Sequence, residues 1–296
     1  MSYVSIFAYK GGRYFWWALF LILASTVLYI TQLGGVQPPN GGTWQGYVLG
    51  TVGALLIVWL AWLGVRKRRY ANGSGTLQGW TSAHVYLGIA LLFCASLHSA
   101  LQLGWNVHTL AYILMVAVIF SGFFGLYKYT SIPALIARNR SGLSRSKLFA
   151  ELYDLDQEAQ SIAAKCLPEV DESVKSAIQR TSLGGGVRAQ LFMRDKSTYL
   201  EPSDNNGLPT LKPNLDQQAL VTMVTLRIPQ AAKRMEAQNL QSLLRALVRR
   251  QAVIRQLRRD ISLQGWLKVW LYIHIPLTLA LIVSLIVHIV TTFVYW

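Results

Sequence analysis

The chain has 296 residues, of which 53% are hydrophobic and 14% are charged, whereas ordinary soluble domains have about 25% charged residues. This composition excludes an entirely soluble globular protein, because too few polar side chains remain to cover the folded surface. The formal net charge is +15, but 20 of the 28 basic residues and all 13 acidic residues lie within 131–265. Basic residues beside apolar runs favour a membrane protein over a nucleic-acid-binding protein.

Five apolar runs are each long enough to cross a bilayer core, which requires about 20 helical residues. We therefore expect an all-α membrane protein with five transmembrane helices. Their predicted bounds are 14–33, 44–65, 80–102, 107–128 and 266–296. The predicted domains are spans one to four within 1–130, an insertion at 131–265, and span five at 266–296.

The charges of the loops predict the orientation of these spans. Four consecutive basic residues, Arg66 to Arg69, follow span two, whereas the connections 34–43 and 103–106 carry no charge. Cytoplasmic loops of membrane proteins are enriched in Lys and Arg. We therefore expect a protein of the bacterial inner membrane with the N-terminus and 131–265 in the cytoplasm and the C-terminus in the periplasm.

The insertion contains two seams of mainly apolar residues that repeat at alternating spacings of four and three. One seam runs from Leu148 to Cys166, and the other runs from Leu240 to Ile261 with two polar interruptions. Two such seams joined by a long connection predict an antiparallel helical hairpin of the coiled-coil type. The insertion is therefore expected to be mainly helical.

Local composition predicts the structure of the segments between and beside these seams. Gly184 to Gly186 and the stretch 201–214 are expected to interrupt regular structure, and the apolar run 219–228, which Pro229 ends, favours a strand. The arginine-rich stretch 245–259 is expected to lie over anionic lipid headgroups, with docking of an acidic partner as the alternative. The insertion has no histidine and no recognisable catalytic set.

All five histidines lie in the predicted membrane part of the chain. Span three contains His84 and His98, and both His274 and His288 lie on span five. Each pair is separated by 14 residues, which is about 40° short of four helical turns, so its members share one helix face roughly 21 Å apart. Spans three and five run in the same direction, which predicts two facing pairs. We name them the inner pair, His84 with His274, and the outer pair, His98 with His288.

Facing imidazoles at two depths are the arrangement that two bis-histidine haems require. The alternatives are histidines that bond to backbone carbonyls or serines, and a zinc or iron site, which would need its ligands together. We expect the four paired histidines to bind two haem b irons. His108, at the outer end of span four, is a candidate to bond an outer-haem propionate or to carry a proton for a quinol, or it is structural. Arg66 to Arg69 are candidates to pair with inner-haem propionates, and the alternative, which we favour, is that they only determine the topology.

This pattern of histidines resembles that of the transmembrane di-haem b cytochromes. They comprise the cytochrome b of quinol–cytochrome c reductases and the membrane domain of ferric reductases and NADPH oxidases, with paired histidines about 13 or 14 residues apart on two parallel helices. Ligands on spans three and five resemble the ferric-reductase arrangement more closely. The chain departs from that family in having no sixth span and no flavin or nicotinamide domain, and from cytochrome b in lacking its Pro-Glu-Trp-Tyr motif.

The resemblance implies a four-helix bundle with two haem b groups, and a quinone is a candidate further cofactor. The expected function is electron conduction across the membrane between a quinol or partner redox subunit and an acceptor on the opposite face. Expected partners are membrane lipid and a redox protein, such as a periplasmic cytochrome or a cytoplasmic flavin or iron–sulfur subunit, but not nucleic acid. Whether the chain is itself an enzyme stays open. The alternative is a non-redox membrane scaffold or transporter-like protein with a basic docking domain.

Overall fold

The computed structural model describes residues 6–33, 38–68, 76–202 and 208–294. The chain separates into two compact units. The histidine unit comprises Met1–Leu126 and Trp270–Trp296, and the insertion unit comprises Tyr127–Val269. These divisions lie four residues from the boundaries at 130/131 and 265/266 that the sequence analysis placed.

The described residues are mostly helical. In chain order, the helices are α1 (Arg13–Ile30), α2 (Trp44–Arg68), α3 (Leu77–Ser99), α4 (Val107–Arg140), α5 (Arg145–Ala163), α6 (Pro168–Gln179), α7 (Val187–Leu191), α8 (Gln218–Arg227) and α9 (Arg234–Val294). Two short strands, β1 (Thr198–Glu201) and β2 (Thr210–Pro213), pair antiparallel. By length and composition, five helices within the described ranges could cross a membrane, namely α1, α2, α3, α4 and α9.

Helix α3 occupies a central place in the histidine unit, where it packs against α1 and α2. Its first turn is capped by Thr76, whose hydroxyl accepts a hydrogen bond from the Gly79 N–H at 3.1 Å. The same hydroxyl donates to the Tyr9 hydroxyl at 3.0 Å. Capping satisfies one of the backbone donors that a helix leaves free at its start. Both predicted haem ligands of span three therefore lie on a helix with a fixed beginning.

The apolar core of the histidine unit includes the residues of α3 and α9 that are midway between their histidines. Leu91 is midway between the two histidines of α3, and Leu281 is midway between those of α9. Both are almost completely buried in one cluster to which α2, α3, α4 and α9 contribute. Its buried members are Ile57, Leu60, Leu91, Met115, Leu281 and Leu285. Four helices therefore enclose an apolar layer that includes the residues midway between the histidines of α3 and of α9.

In the insertion unit, the two predicted seams pack against each other in opposite directions. Arg145, at the start of α5, donates to Gln264 of α9 at 3.1 Å. The Lys165 carbonyl, beyond the end of α5, accepts from Asn239 at 3.4 Å. One shared cluster contains Leu148, Leu152 and Leu155 of α5 together with Val253, Ile254 and Leu257 of α9. This is the antiparallel pairing that the spacing predicts.

Helix α8 shows that the assignment of 219–228 to a strand is wrong. Leu220 and Val224, four residues apart, are both buried in the insertion unit, and this spacing is helical. A short apolar run has the same composition in a buried strand as in a buried helix segment. The described strands lie elsewhere, and β2 falls within the stretch 201–214 that was expected to be irregular.

The arginine-rich part of α9 differs from the expected lipid-facing surface. Arg250 and Arg258 are only 1% and 8% exposed. Arg250 donates to Asp156 at 2.5 Å, and Arg258 pairs with Asp195 at 2.6 Å. The expectation that this whole stretch lies over headgroups is therefore wrong for these two residues, which form buried ion pairs within the insertion unit.

Candidate functional site

The structure brings the outer pair together. The ring centres of His98 on α3 and His288 on α9 are 6.1 Å apart, and the ring planes cross at 78°. Two imidazoles on opposite sides of one metal, each with a metal–nitrogen bond of about 2 Å, have ring centres roughly 6 Å apart. The spacing of the outer pair therefore suits two ligands of a single iron.

The inner pair lies on the same two helices. His84 and His274 lie close enough for a charge on one ring to repel a charge on the other, and the positive charge of Lys67 on α2 opposes a positive charge on both rings. Lys67 is therefore a member of the Arg66 to Arg69 run that lies near the inner pair. The Arg68 side chain and Arg69 lie outside the described residues.

Backbone carbonyls of α2 orient both histidines of α3. The Nδ1 atom of His84 lies 3.1 Å from the Leu60 carbonyl oxygen, and Nδ1 of His98 lies 2.8 Å from that of Gly46. Because a carbonyl oxygen can only accept, the proton of each neutral ring must be on Nδ1. The lone pair is then on Nε2 in both rings.

A serine of α4 plays the same part for His274. The Ser121 hydroxyl donates its single proton to the Val118 carbonyl at 2.8 Å, so it must accept from His274 Nδ1, which lies 2.6 Å away. The indole N–H of Trp270 donates to the Ser121 carbonyl at 2.8 Å. Ser121 therefore fixes His274 in the tautomer that His84 and His98 adopt.

The shared tautomer has a chemical consequence. A histidine that donates from Nδ1 presents an unprotonated Nε2, and this is the form that binds a metal or haem iron. Within the described residues, no hydrogen bond to Nε2 of His84, His98 or His274 is present. Three of the four predicted ligands thus have an unprotonated Nε2 that no described residue hydrogen-bonds.

His288 is the exception among the four. Its Nδ1 is buried, and no described residue is its hydrogen-bond partner; the same is true of the Ser284 hydroxyl, one turn earlier on α9. Buried polar atoms without partners are uncommon in folded proteins. On this face of α9, Nδ1 of His288 and the Ser284 hydroxyl therefore have no polar partner among the described residues.

Two glycines shape the space around the histidines of α3. A Cβ atom at Gly50 of α2 would lie 2.8 Å from Cε1 of His98, so only glycine admits the ring. A Cβ at Gly88, one turn after His84, would meet no atom within 4 Å. Gly88 therefore borders open space near the histidine face of α3.

His108 also lies beside the outer pair. It is exposed, and its ring centre is 4.3 Å from that of His288, with the ring planes at 82°. This contact agrees with the predicted location at the outer end of the bundle. A role with a propionate or a quinol proton remains a prediction.

The donor set consists of imidazole pairs rather than a compact metal cluster. Within the described ranges, no group of three or more His, Cys, Asp or Glu side chains is placed to hold a metal ion. The pairs, the available Nε2 atoms and the open space beside Gly88 fit bis-histidine haem. No protein-family model, curated protein or solved structure matches the chain.

The groups that orient the histidines have little signal in the sequence. Ser121 and Trp270 are isolated residues within apolar runs, and sequence offers little to distinguish their roles. The carbonyl of Gly46 had a weak signal, because Gly46 and Gly50 are four residues apart and small residues at this spacing let helices approach closely.

Proposed function

We propose that the protein is the membrane-embedded di-haem cytochrome b subunit of an oxidoreductase complex. In this role it conducts electrons across the bacterial inner membrane between a quinol or partner redox subunit and an acceptor on the opposite face. The observation that supports this most strongly is the facing outer pair, in which the ring centres of His98 and His288 on two helices are 6.1 Å apart. The bonds of His84, His98 and His274 to carbonyls and a serine are also those of structural histidines, but they leave Nε2 unprotonated in all three rings. A structural histidine needs only one hydrogen bond of either kind, whereas an iron ligand needs Nε2 unprotonated.

The chain's own residues would perform three tasks. The inner and outer pairs would each hold one haem, and the carbonyls of Leu60 and Gly46 with the Ser121 hydroxyl keep three of the rings in the binding tautomer. Haem b, when bound, supplies reversible one-electron chemistry at its iron. Leu91 and Leu281 keep water out of the layer between the pairs.

The polar groups near each pair suggest how the propionates are received. The positive charge of Lys67 lies close enough to both inner histidines to interact with them electrostatically. Lys67 is therefore the best candidate to neutralise an inner-haem propionate. His108 is the corresponding candidate at the outer pair. The five predicted spans contain no Asp or Glu, and buried carboxylates are the usual means of proton transport in membranes. We therefore favour electron exchange with a partner subunit or quinone over proton pumping.

The first experiment is a reduced-minus-oxidised absorption spectrum of the purified full chain. We expect a sharp α-band and two haem groups per chain. A haem-free, colourless protein from cells that make haem would contradict the proposal and leave the non-redox scaffold as the explanation.

Histidine variants then test the pairing, and each pair serves as the matched control for the other. We expect His98→Ala and His288→Ala to deplete the same haem. His84→Ala should deplete the other haem and leave the outer one spectroscopically intact. Depletion of one and the same haem by His84→Ala and His98→Ala would refute the two-layer arrangement.

A further inference from the structure

A short surface of the insertion unit is both apolar and basic. Helix α7 and the turn after it expose Val187, Phe192 and Met193 at 64%, 60% and 51% of their surface. Arg188, which follows Val187, and Arg194, which follows Met193, are exposed as well. We call these five residues the α7 surface. An exposed apolar cluster flanked by arginines is the composition of segments that lie in a membrane interface.

The backbone of this surface has an unusual feature. Met193 follows α7 in the left-handed region, at φ 52°, while the Arg194 N–H donates to the Ala189 carbonyl at 2.9 Å and the Met193 N–H donates to that of Gln190. This is the Schellman ending of a helix, where glycine is the usual residue because a side chain is strained there. The turn therefore holds the Met193 side chain at the surface at some cost in backbone strain.

Contacts within the insertion unit tie the α7 surface to the start of predicted span five. The Phe192 ring packs edge-on against that of Trp266, with ring centres 5.8 Å apart. The Ser262 hydroxyl donates to the Leu191 carbonyl at 2.7 Å. Trp266 is the first residue of predicted span five, and Ser262 lies only about 6 Å of helix before it.

The end of predicted span four lies beside the start of predicted span five. Lys128, the last residue of predicted span four, lies with its ammonium 5.3 Å from the centre of the Trp266 ring. Tryptophan and lysine at the ends of apolar helices are the usual residues of the membrane interface. The headgroup region on each side of the hydrocarbon core is roughly 5–8 Å thick. The α7 surface is therefore within reach of that region.

We infer that the α7 surface is an interfacial anchor that inserts Val187, Phe192 and Met193 among the lipids of the cytoplasmic leaflet. Arg188 and Arg194 pair with the phosphates of anionic headgroups. The inference rests on the membrane-spanning part of the proposed function and is independent of haem. It assigns lipid contact to α7, whereas the buried Arg250 and Arg258 of α9 have no such role.

The test uses the full chain in vesicles of zwitterionic lipid with about one third anionic phosphatidylglycerol, a charge content that gives basic segments a strong attraction. In a Cys94→Ala, Cys166→Ala background, a fluorophore is attached at Phe192→Cys. The matched control is Leu226→Cys on α8, which is 63% exposed. Neighbours of Leu226 on α8 pack in the same cluster as Leu240, about 39 Å of helix before Trp266.

We expect lipids that carry a nitroxide near the headgroup to quench the label at 192 at least threefold more strongly than the label at 226. Aqueous iodide should show the opposite order. Arg188→Gln with Arg194→Gln should remove the dependence of label 192 on anionic lipid. Equal access of iodide to both labels would overturn the inference, as would lipid quenching at 192 that is unchanged when anionic lipid is omitted.

Haem content is measured in the same preparations, so the two proposals fail separately. Red protein with an iodide-accessible label at 192 would contradict only the anchor. Colourless protein with a lipid-quenched label at 192 would support the anchor and contradict the haem proposal.

Discussion

Replacing Arg250 by methionine tests whether the arginine-rich helix stabilises the insertion unit from within. Arg250 is 1% exposed, and its guanidinium donates to Asp156 at 2.5 Å, Gln217 at 2.8 Å and Thr181 at 2.9 Å. Methionine has a similar length and keeps the apolar packing of the stem. It leaves the Asp156 carboxylate and the Thr181 hydroxyl without the donor that Arg250 supplies, while the Gln217 side-chain oxygen keeps a hydrogen bond from Asn214 at 3.2 Å.

The expected loss of stability follows from this burial. Removing one partner of a buried ion pair costs about 3–5 kcal/mol. The Asp156 side chain is 21% exposed, and water can therefore compensate part of the loss, which favours about 3 kcal/mol. In a unit of this size, 1 kcal/mol changes Tm by roughly 4 °C. We therefore expect the unfolding transition of the insertion unit to fall by about 12 °C.

Arg249→Met, one residue away, is the matched control. Arg249 also pairs with a carboxylate, that of Glu151 at 2.9 Å, but its side chain is 69% exposed. Exposed pairs contribute only about 0–1 kcal/mol, so its Tm should fall by roughly 4 °C or less. Circular dichroism of the full chain in detergent measures the thermal unfolding of each of the two variants and of the unchanged protein. Equal shifts for the two variants, or an unchanged Tm for Arg250→Met, would refute the reasoning.

Three further predictions concern other parts of the chain. Ser121→Ala should weaken haem binding at the inner pair about 10–100-fold, because His274 loses its Nδ1 partner; haem titration of the apoprotein should show an unchanged outer band. Burial raises the pKa of Asp195, but its hydrogen bonds and the charge of Arg258 outweigh burial and hold the pKa below its usual value. A carboxyl group of this kind stabilises the fold above its unfolded pKa and loses that contribution on acidification, so Tm of the insertion unit should fall below about pH 4, and less steeply in Asp195→Asn. A protease site inserted beside Leu208, which is 88% exposed, should be cut only from the cytoplasmic side; cleavage from the periplasm would reverse the predicted topology.

The parts of the structure that follow from helix periodicity were accessible from the sequence. Long apolar runs predicted helices that could cross a membrane, and a separation of 14 residues predicted that His98 and His288 could face each other from parallel helices. Both follow from the fixed rise and turn of an α-helix. The antiparallel seams of the insertion rest on the same periodicity.

What the sequence could not reveal depends on partners that are distant in the chain. Arg250 and Asp156 are separated by 94 residues, and an arginine beside a seam position such as Gln251 has the same sequence pattern whether it faces lipid or an acid. The location of all 13 acidic residues in the same segment was the available signal. Backbone carbonyls such as those of Leu60 and Gly46 have no sequence signal of their own, because every residue has one.

The difference between His288 and the other three paired histidines has a consequence for how the protein is assembled. Both rings of the inner pair are held by oxygen atoms of the polypeptide itself, so their orientation costs nothing when a ligand arrives. At the outer pair only His98 is held in this way. We therefore expect maturation to be ordered, with the newly inserted apoprotein filling the inner pair first and the outer pair second.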